Sequence, residues 1–369
     1  MAGLYLHIPF CKQACAYCNF HFATSLHHKQ AMVQALQQEI RLSVDYLAGE
    51  VVDTIYFGGG TPSLLTPEEL STLLETIRAI YAVSVQAEIT LEANPDDINE
   101  IPLQQWKAVG INRLSIGVQS FREEDLQWMH RAHNAHQSLE AMTLSKRYFD
   151  NITIDLIYGV PGLSNEDWKK NIETALTLNI PHLSCYALTV EPKTPLEKQI
   201  RTQQKQAVDP DKQAVHFLTL IDRLEQAGFR QYEISNFSKP GFESKHNQSY
   251  WQGKAYLGIG PSAHSYNGVS RQWNVANNQQ YISAIEKGTI PFELETLTPE
   301  QQCNEYIMTA LRTDQGLHLE RLGKYEEQVL QAANPYLKND SIVRIENRLV
   351  LTREGKFLAD GIAAALFVE

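Results

Sequence analysis

Strand-like and helix-like segments alternate repeatedly through the first half of this 369-residue chain, and that alternation leaves few folds open. Leu4–Pro9, Val52–Phe57, Glu88–Ala93, Arg113–Gln119, Ile152–Tyr158 and His182–Val190 read as strands. Helical periodicity spans Gln30–Leu47, Pro67–Ile80, Ile98–Ala108, Ala135–Tyr148 and Asn165–Leu178, with Thr66 placed to cap the second helix and Pro67 at its first position. Strands separated by helices predict a parallel sheet with right-handed crossovers. A sixth helix, Asp209–Ala227, should stop at Gly228.

Strand polarity narrows the architecture. A strand covered on both faces reads as a near-continuous apolar run. Here Glu88-Ile89-Thr90-Leu91-Glu92, Leu114-Ser115-Ile116-Gly117-Val118-Gln119 and Ile152-Thr153-Ile154-Asp155-Leu156 each keep aliphatic residues on one face and polar ones on the other. Strands ending in Glu92, Gln119 and Asp155 imply a wet interior and a rim that holds a polar ligand. The expected fold is therefore α/β, a partial (β/α)6 barrel. Beyond Gln231 the pattern changes. Tyr232–Phe237 and Tyr256–Gly260 are strand-like, Pro299–Leu311 and His318–Leu322 helical, Ser341–Leu351 a hairpin and Arg353–Leu366 a last helix. The expected division is a barrel over 1–230, a barrel extension and connecting region over 231–298, and a small α+β, winged-helix-like unit over 299–369.

A net charge of −11 argues against a broad basic surface for nucleic acid. Nothing approaches the 18 or more apolar residues of a membrane span, and the first residues lack a signal peptide's basic and apolar regions. Five cysteines, an odd number, fit a reducing compartment, so a cytoplasmic location is expected.

Three of those cysteines, Cys11, Cys15 and Cys18, stand at C-x3-C-x2-C spacing just after the first strand. Three thiolates can hold three irons of a [4Fe–4S] cube and leave the fourth iron for another ligand. Zinc is the rival, with His7 and His21 nearby, but zinc sites usually begin from C-x2-C knuckles. Gly58-Gly59-Gly60-Thr61-Pro62 follows the second strand, where consecutive glycines let backbone amides approach a ligand. Cys185 and Cys303 lie in apolar contexts and read as core thiols. His264 follows a strand and has no assigned role.

The cysteine spacing, with aromatic Tyr17 before the third cysteine, resembles the radical S-adenosylmethionine (SAM) superfamily. With Tyr5-Leu6-His7-Ile8-Pro9-Phe10-Cys11, Glu92-Ala93-Asn94-Pro95, Ile116-Gly117-Val118-Gln119-Ser120-Phe121 and Asp155-Leu156-Ile157-Tyr158-Gly159-Val160-Pro161-Gly162, essentially the whole chain is similar to the oxygen-independent coproporphyrinogen III oxidase family. The resemblance implies a [4Fe–4S] cluster on Cys11, Cys15 and Cys18, and SAM contacted by Tyr5, Tyr17, Gly59, Gly60, Thr61, Glu92, Gln119, Arg131 and Asp155. One position departs. The oxidases continue to a fourth cysteine two residues after the third, where this chain has Phe20. Phe20 and His246-Asn247-Gln248-Ser249-Tyr250-Trp251 resemble instead the haem chaperone branch. That branch implies haem as a ligand, with His246 a candidate iron ligand, and haem-accepting apo-proteins as partners, membrane-associated respiratory enzymes among them. It leaves open whether SAM is cleaved and whether the chain forms a homodimer. The alternatives are oxidative decarboxylation of coproporphyrinogen III and an iron–sulfur binding module without turnover.

Overall fold

In the computed structural model, which describes residues 2–369, the strand–helix alternation condenses into one twelve-stranded sheet. Its centre is β1 (Ala2–Ile8), α1 (Lys29–Leu42), β2 (Val52–Gly59), α2 (Pro67–Ile80), β3 (Val83–Ala93), α3 (Glu100–Val109), β4 (Arg113–Gln119), α4 (Glu123–Met129), α5 (Ala135–Ser145), β5 (Ile152–Tyr158), α6 (Asn165–Thr177) and β6 (His182–Ala187). Strands β1 to β6 lie side by side in chain order, every neighbouring pair parallel. Thr66 caps α2 in a reciprocal capping box with Glu69, and Pro67 occupies the first turn.

Two further helices follow, α7 (Pro195–Arg201) and α8 (Pro210–Gln226). Gly228 then turns the chain at a φ of 76°, a conformation glycine adopts without the Cβ penalty. The chain next crosses the sheet. Strands β7 (Arg230–Gln231) and β8 (Asn236–Ser238) extend the β6 edge antiparallel. Helix α9 (Lys245–Trp251) leads to β9 (Tyr256–Ile259), which adds a parallel strand beside β1. Then β10 (His264–Tyr266), β11 (Ser270–Asn274), α10 (Asn278–Glu286) and β12 (Phe292–Thr296) continue that edge antiparallel. The C-terminal residues form α11 (Pro299–Leu311) and a three-stranded antiparallel sheet of β13 (Leu317–His318), β14 (Ile342–Ile345) and β15 (Arg348–Leu351). Helix α12 (Glu326–Lys338) packs between, and two short helices, α13 (Arg353–Phe357) and α14 (Ala359–Ala365), end the chain around a separate apolar core.

Three of the expected elements change type or divide. The predicted helix at His318–Leu322 begins as strand β13 and becomes a 3-10 turn, because Leu317 and His318 pair with β15. Tyr232–Phe237 divides around a turn in which Asn236 N–H bonds the Glu233 carbonyl. The last helix breaks after Phe357.

Glu39 of α1 joins the added edge to the barrel. Only 1% exposed, it accepts hydrogen bonds from Gly260 N–H (2.7 Å), Asn274 Nδ2 (2.6 Å) and the Tyr281 hydroxyl. Burial pushes its pKa up from 4.5 to about 7, against the pull of those donors. A carboxyl raised on folding contributes stability that is complete below pH 4.5 and lost as pH rises through about 7. Glu39→Gln points an amide N–H at a donor, so a loss of about 1–3 kcal/mol is expected. A melting series across that range should also show a shallower decline for the variant, and an unchanged slope would contradict the assignment.

Candidate cofactor-binding site

The cysteine loop joins β1 to α1. Backbone bonds from Cys11 N–H to Ala23 (3.0 Å) and from Ala16 N–H to Met129 (3.2 Å) tie it to its surroundings. Cys11, Cys15 and Cys18 are free and half-buried, and all three line a cavity of about 1000 Å³ at the carboxyl ends of the parallel strands. Burial pushes the Cys11 thiol up to about 11, opposed by a hydrogen bond with Thr61, and raises Cys18 as well. Among the described residues, no three His, Cys, Asp or Glu side chains converge as a single-ion cage. Tetrahedral zinc requires such convergence, whereas a cube takes each cysteine on a different iron.

Gly59, Gly60 and Thr61 line the same cavity. Gly60 is required by close backbone approach: a Cβ there would stand 2.5 Å from the Phe10 carbonyl oxygen and 2.9 Å from that of Ile8. Its N–H bonds Ile8 O at 2.9 Å, and the Gly59 N–H serves the Glu92 carboxylate. The expected open nest of amides is thus largely spent on the protein itself, and the glycines' chief effect is to bring β2 against the cysteine loop.

Glu92, Gln119, Asp155, Tyr17 and Arg131 also face this cavity. The polar strand faces do meet in one interior, while the alternating Ile89, Leu91, Ile116, Ile154 and Leu156 are buried in the core. Gln119 holds a φ of 64°, and the β4–β5 register breaks between Ile116 and Gln119. A non-glycine residue in this region is strained, and such strain gathers at functional sites. Burial raises Glu92 to about 8, partly offset by the Tyr56 hydroxyl donating to it at 2.8 Å, and raises Asp155 to about 6.

Arg131 is more committed than the sequence reveals. Its Nη1 reaches Cys15 Sγ (3.3 Å) and the Tyr17 hydroxyl (3.4 Å), and its Nη2 donates to Asn94 Oδ1 (2.7 Å) and Gly117 O (2.9 Å). Only Nε is buried without a partner. Asn94 also donates to Thr61 Oγ1 at 3.2 Å. It lies within Glu92-Ala93-Asn94-Pro95, yet its role emerges only from this junction of three loops.

Tyr5 and His246 lie behind that cavity. With Glu92 and Asp155 they line a polar chamber of about 220 Å³ that includes Arg113, Ser115 and Thr153. His246 is 1% exposed. Its Nδ1 is bonded to Thr54 Oγ1 (2.7 Å), its Nε2 to the Tyr250 hydroxyl (2.8 Å), and its ring stacks on Tyr56 at 4.9 Å. Burial and the Arg113 charge lower its pKa to about 3, so the ring is neutral. With both nitrogens occupied, iron ligation at His246 requires the Tyr250 bond to open.

The radical SAM superfamily model matches residues 5–175, and a HemN C-terminal domain model matches residues 297–358. The heme chaperone HemW of Mycobacterium tuberculosis is 37% identical over 99% of this chain and 94% of its own length. That of Bacillus subtilis is 33% identical over the full length of both. The mitochondrial radical S-adenosyl methionine domain-containing protein 1 of Danio rerio is 34% identical over 86% of this chain and 74% of its own. In structure, coproporphyrinogen III oxidase (HemN) of Escherichia coli, a radical SAM enzyme, superposes with a TM-score of 0.84 over 100% of this chain and 90% of its own; at 23% identity this likeness shows the fold alone. With identities above 30% sustained along its whole length, the chain belongs to the HemW family of the radical SAM superfamily.

Proposed function

We propose that this protein is a haem chaperone that binds a [4Fe–4S] cluster and SAM in the cysteine cavity, accepts haem and passes it to apo-proteins. Full-length identity to proteins named heme chaperone HemW carries this reading. Membership in the superfamily implies the cluster and SAM. The residues assigned to hold them are Cys11, Cys15 and Cys18 for the cluster, with Tyr17, Gly59, Gly60, Thr61, Glu92, Gln119, Arg131 and Asp155 around SAM. Tyr5 acts from behind, through the chamber it shares with Glu92 and Asp155. When bound, the cluster and SAM supply one-electron reductive chemistry. The chain's own contribution is placement: Arg131 braces Cys15, Tyr17 and Asn94, and the two buried carboxyls offer acceptors to an amino group and to ribose hydroxyls.

Phe20, in place of the oxidases' fourth cysteine, favours chaperone over decarboxylase. It is 66% exposed and lines the cysteine cavity. The test is anaerobic incubation of the reconstituted protein with SAM, a reductant and coproporphyrinogen III. No protoporphyrinogen IX is expected, and product over multiple turnovers would restore the oxidase reading.

SAM binding should depend on pH through Glu92. Its raised pKa of about 8 means that below this pH the carboxyl holds a proton, which it must release to accept hydrogen bonds from the SAM amino group with both oxygens. Affinity is expected to rise with pH up to about 8 and then level off. Glu92→Gln should bind SAM more weakly and flatten the profile. Calorimetry in buffers of different ionisation enthalpy would show the released proton, and its absence would contradict the assignment.

A further inference from the structure

Beside the cysteine cavity a second cleft, of about 830 Å³, runs between the added sheet edge and the C-terminal unit. Asn19 and Phe20 line both, so the cleft opens next to the cluster loop. Its volume falls in the range of cofactor and ligand pockets. Aromatic side chains dominate its walls: Tyr250, Trp251 and Tyr256 from the α9–β9 segment, Tyr266 from β10, and Tyr306 and Tyr325 from the C-terminal unit. The Trp251 indole N–H is buried there without a hydrogen-bond partner. Such walls suit a broad, flat, apolar ring system.

Two arginines give the cleft a polarity opposite to the chain's net charge of −11. Arg271 lies over the Tyr266 ring at 5.4 Å and pairs with Glu305, but its Nε is buried without a partner. Arg321 lies 4.0 Å from the Tyr306 ring centre, is exposed, and makes no ion pair among the described residues. Guanidinium groups at the edge of an aromatic slot are the complement of carboxylates carried on a flat ring.

The cleft also presents an imidazole. His264 at the start of β10 is exposed and lines the cleft, and its ring has no hydrogen bond among the described residues. It stacks on Trp273 at 6.2 Å, which limits how the ring turns. Partial desolvation by the cleft walls first, then the Arg271 charge, lowers its pKa, which favours the neutral ring that ligates metal. This sets it apart from His246, both of whose nitrogens are occupied.

We infer that this cleft is the haem-binding site, with His264 supplying the axial nitrogen to iron and Arg321, seconded by Arg271, receiving the propionates. This rests on the haem-binding reading above, and names residues for it. The aromatic walls hold the macrocycle, the two arginines set its orientation, and Phe20 of the cluster loop lies where the two cavities adjoin.

The test is titration of haem into the full-length protein, read by the Soret band, by electron paramagnetic resonance of the ferric form, and by the dissociation constant. His264→Ala should lose the imidazole-ligand signature and weaken binding about tenfold or more, with free imidazole restoring the spectrum. His264→Cys should convert the spectrum to that of a thiolate-ligated haem. Arg321→Ala should weaken haem several-fold yet leave the dimethyl ester of haem, which lacks propionate charge, bound as in the unaltered protein. His246→Ala, if folded, should keep the axial signature. The inference is overturned if His264→Ala and Arg321→Ala match the unaltered protein. It is also overturned if the ligand signature vanishes instead with His246→Ala or with His21→Ala, whose Nε2–H donates to Asn278 Oδ1 at 2.7 Å. Failure of the unaltered protein to bind haem at all would instead remove the chaperone reading itself.

Discussion

Replacing Cys11, Cys15 or Cys18 by Ala is expected to abolish cluster assembly. Anaerobic reconstitution of the unaltered protein should yield about four irons and four sulfides per chain, and any one of these variants close to none. The reason is geometric. The three thiols line one cavity, so a cluster held there would take each on a separate iron and leave none to substitute for another. Cys185 and Cys303 provide the contrast. They are buried at 1% and 9% exposure in β6 and α11, and neither lines that cavity. Cys185→Ala and Cys303→Ala should therefore keep full iron and sulfide. One zinc per chain without sulfide would contradict the assignment.

Gly60→Ala is expected to be nearly as damaging, although it removes no ligand. Its Cβ would stand 2.5 Å from the Phe10 carbonyl oxygen and 2.9 Å from that of Ile8, both backbone atoms of the segment that delivers Cys11. Backbone cannot swing aside as a side chain does, so β1 and the loop must shift. Overpacking of this kind costs about 1–3 kcal/mol. The shift is expected to lower the melting temperature, reduce cluster content and weaken SAM at least tenfold. Gly361→Ala is the control, because a Cβ there meets nothing within 4 Å. A Gly60→Ala protein with normal melting, iron content and SAM affinity would show that the close approach does not govern the site.

Much of the barrel is legible in the sequence, because each strand must bury one face whatever surrounds it. Ile89, Leu91, Ile116 and Ile154 declare the core side, and Glu92, Gln119 and Asp155 thereby fall on the cavity side. The Thr66–Glu69 capping box is equally local and equally readable. The β10–β12 edge is not: Phe292-Glu293-Leu294-Glu295-Thr296 alternates apolar and polar residues over only five positions, Phe292 and Leu294 stay exposed, and pairing with β11 is what makes it a strand. Arg131 could be named from the resemblance, but its hold on Cys15, Asn94 and Gly117 depends on three loops meeting. His246 shows the same limit. Its hexamer reads as a ligand motif, while the fold turns it into a helix whose histidine is locked between Thr54 and Tyr250. The aromatic cleft draws its walls from 250–271 and 299–325, and no linear pattern joins those segments.

Haem transfer tests the chaperone reading most directly. The reconstituted protein would be loaded with one equivalent of haem, freed of excess by gel filtration, and mixed with the haem-free form of a respiratory enzyme. The chain's own haem spectrum is expected to decay as the acceptor's spectrum and activity appear in equal amount, faster than when free haem is supplied. Haem that stays on the chain, or an acceptor that fills no faster than from free haem, would contradict the account.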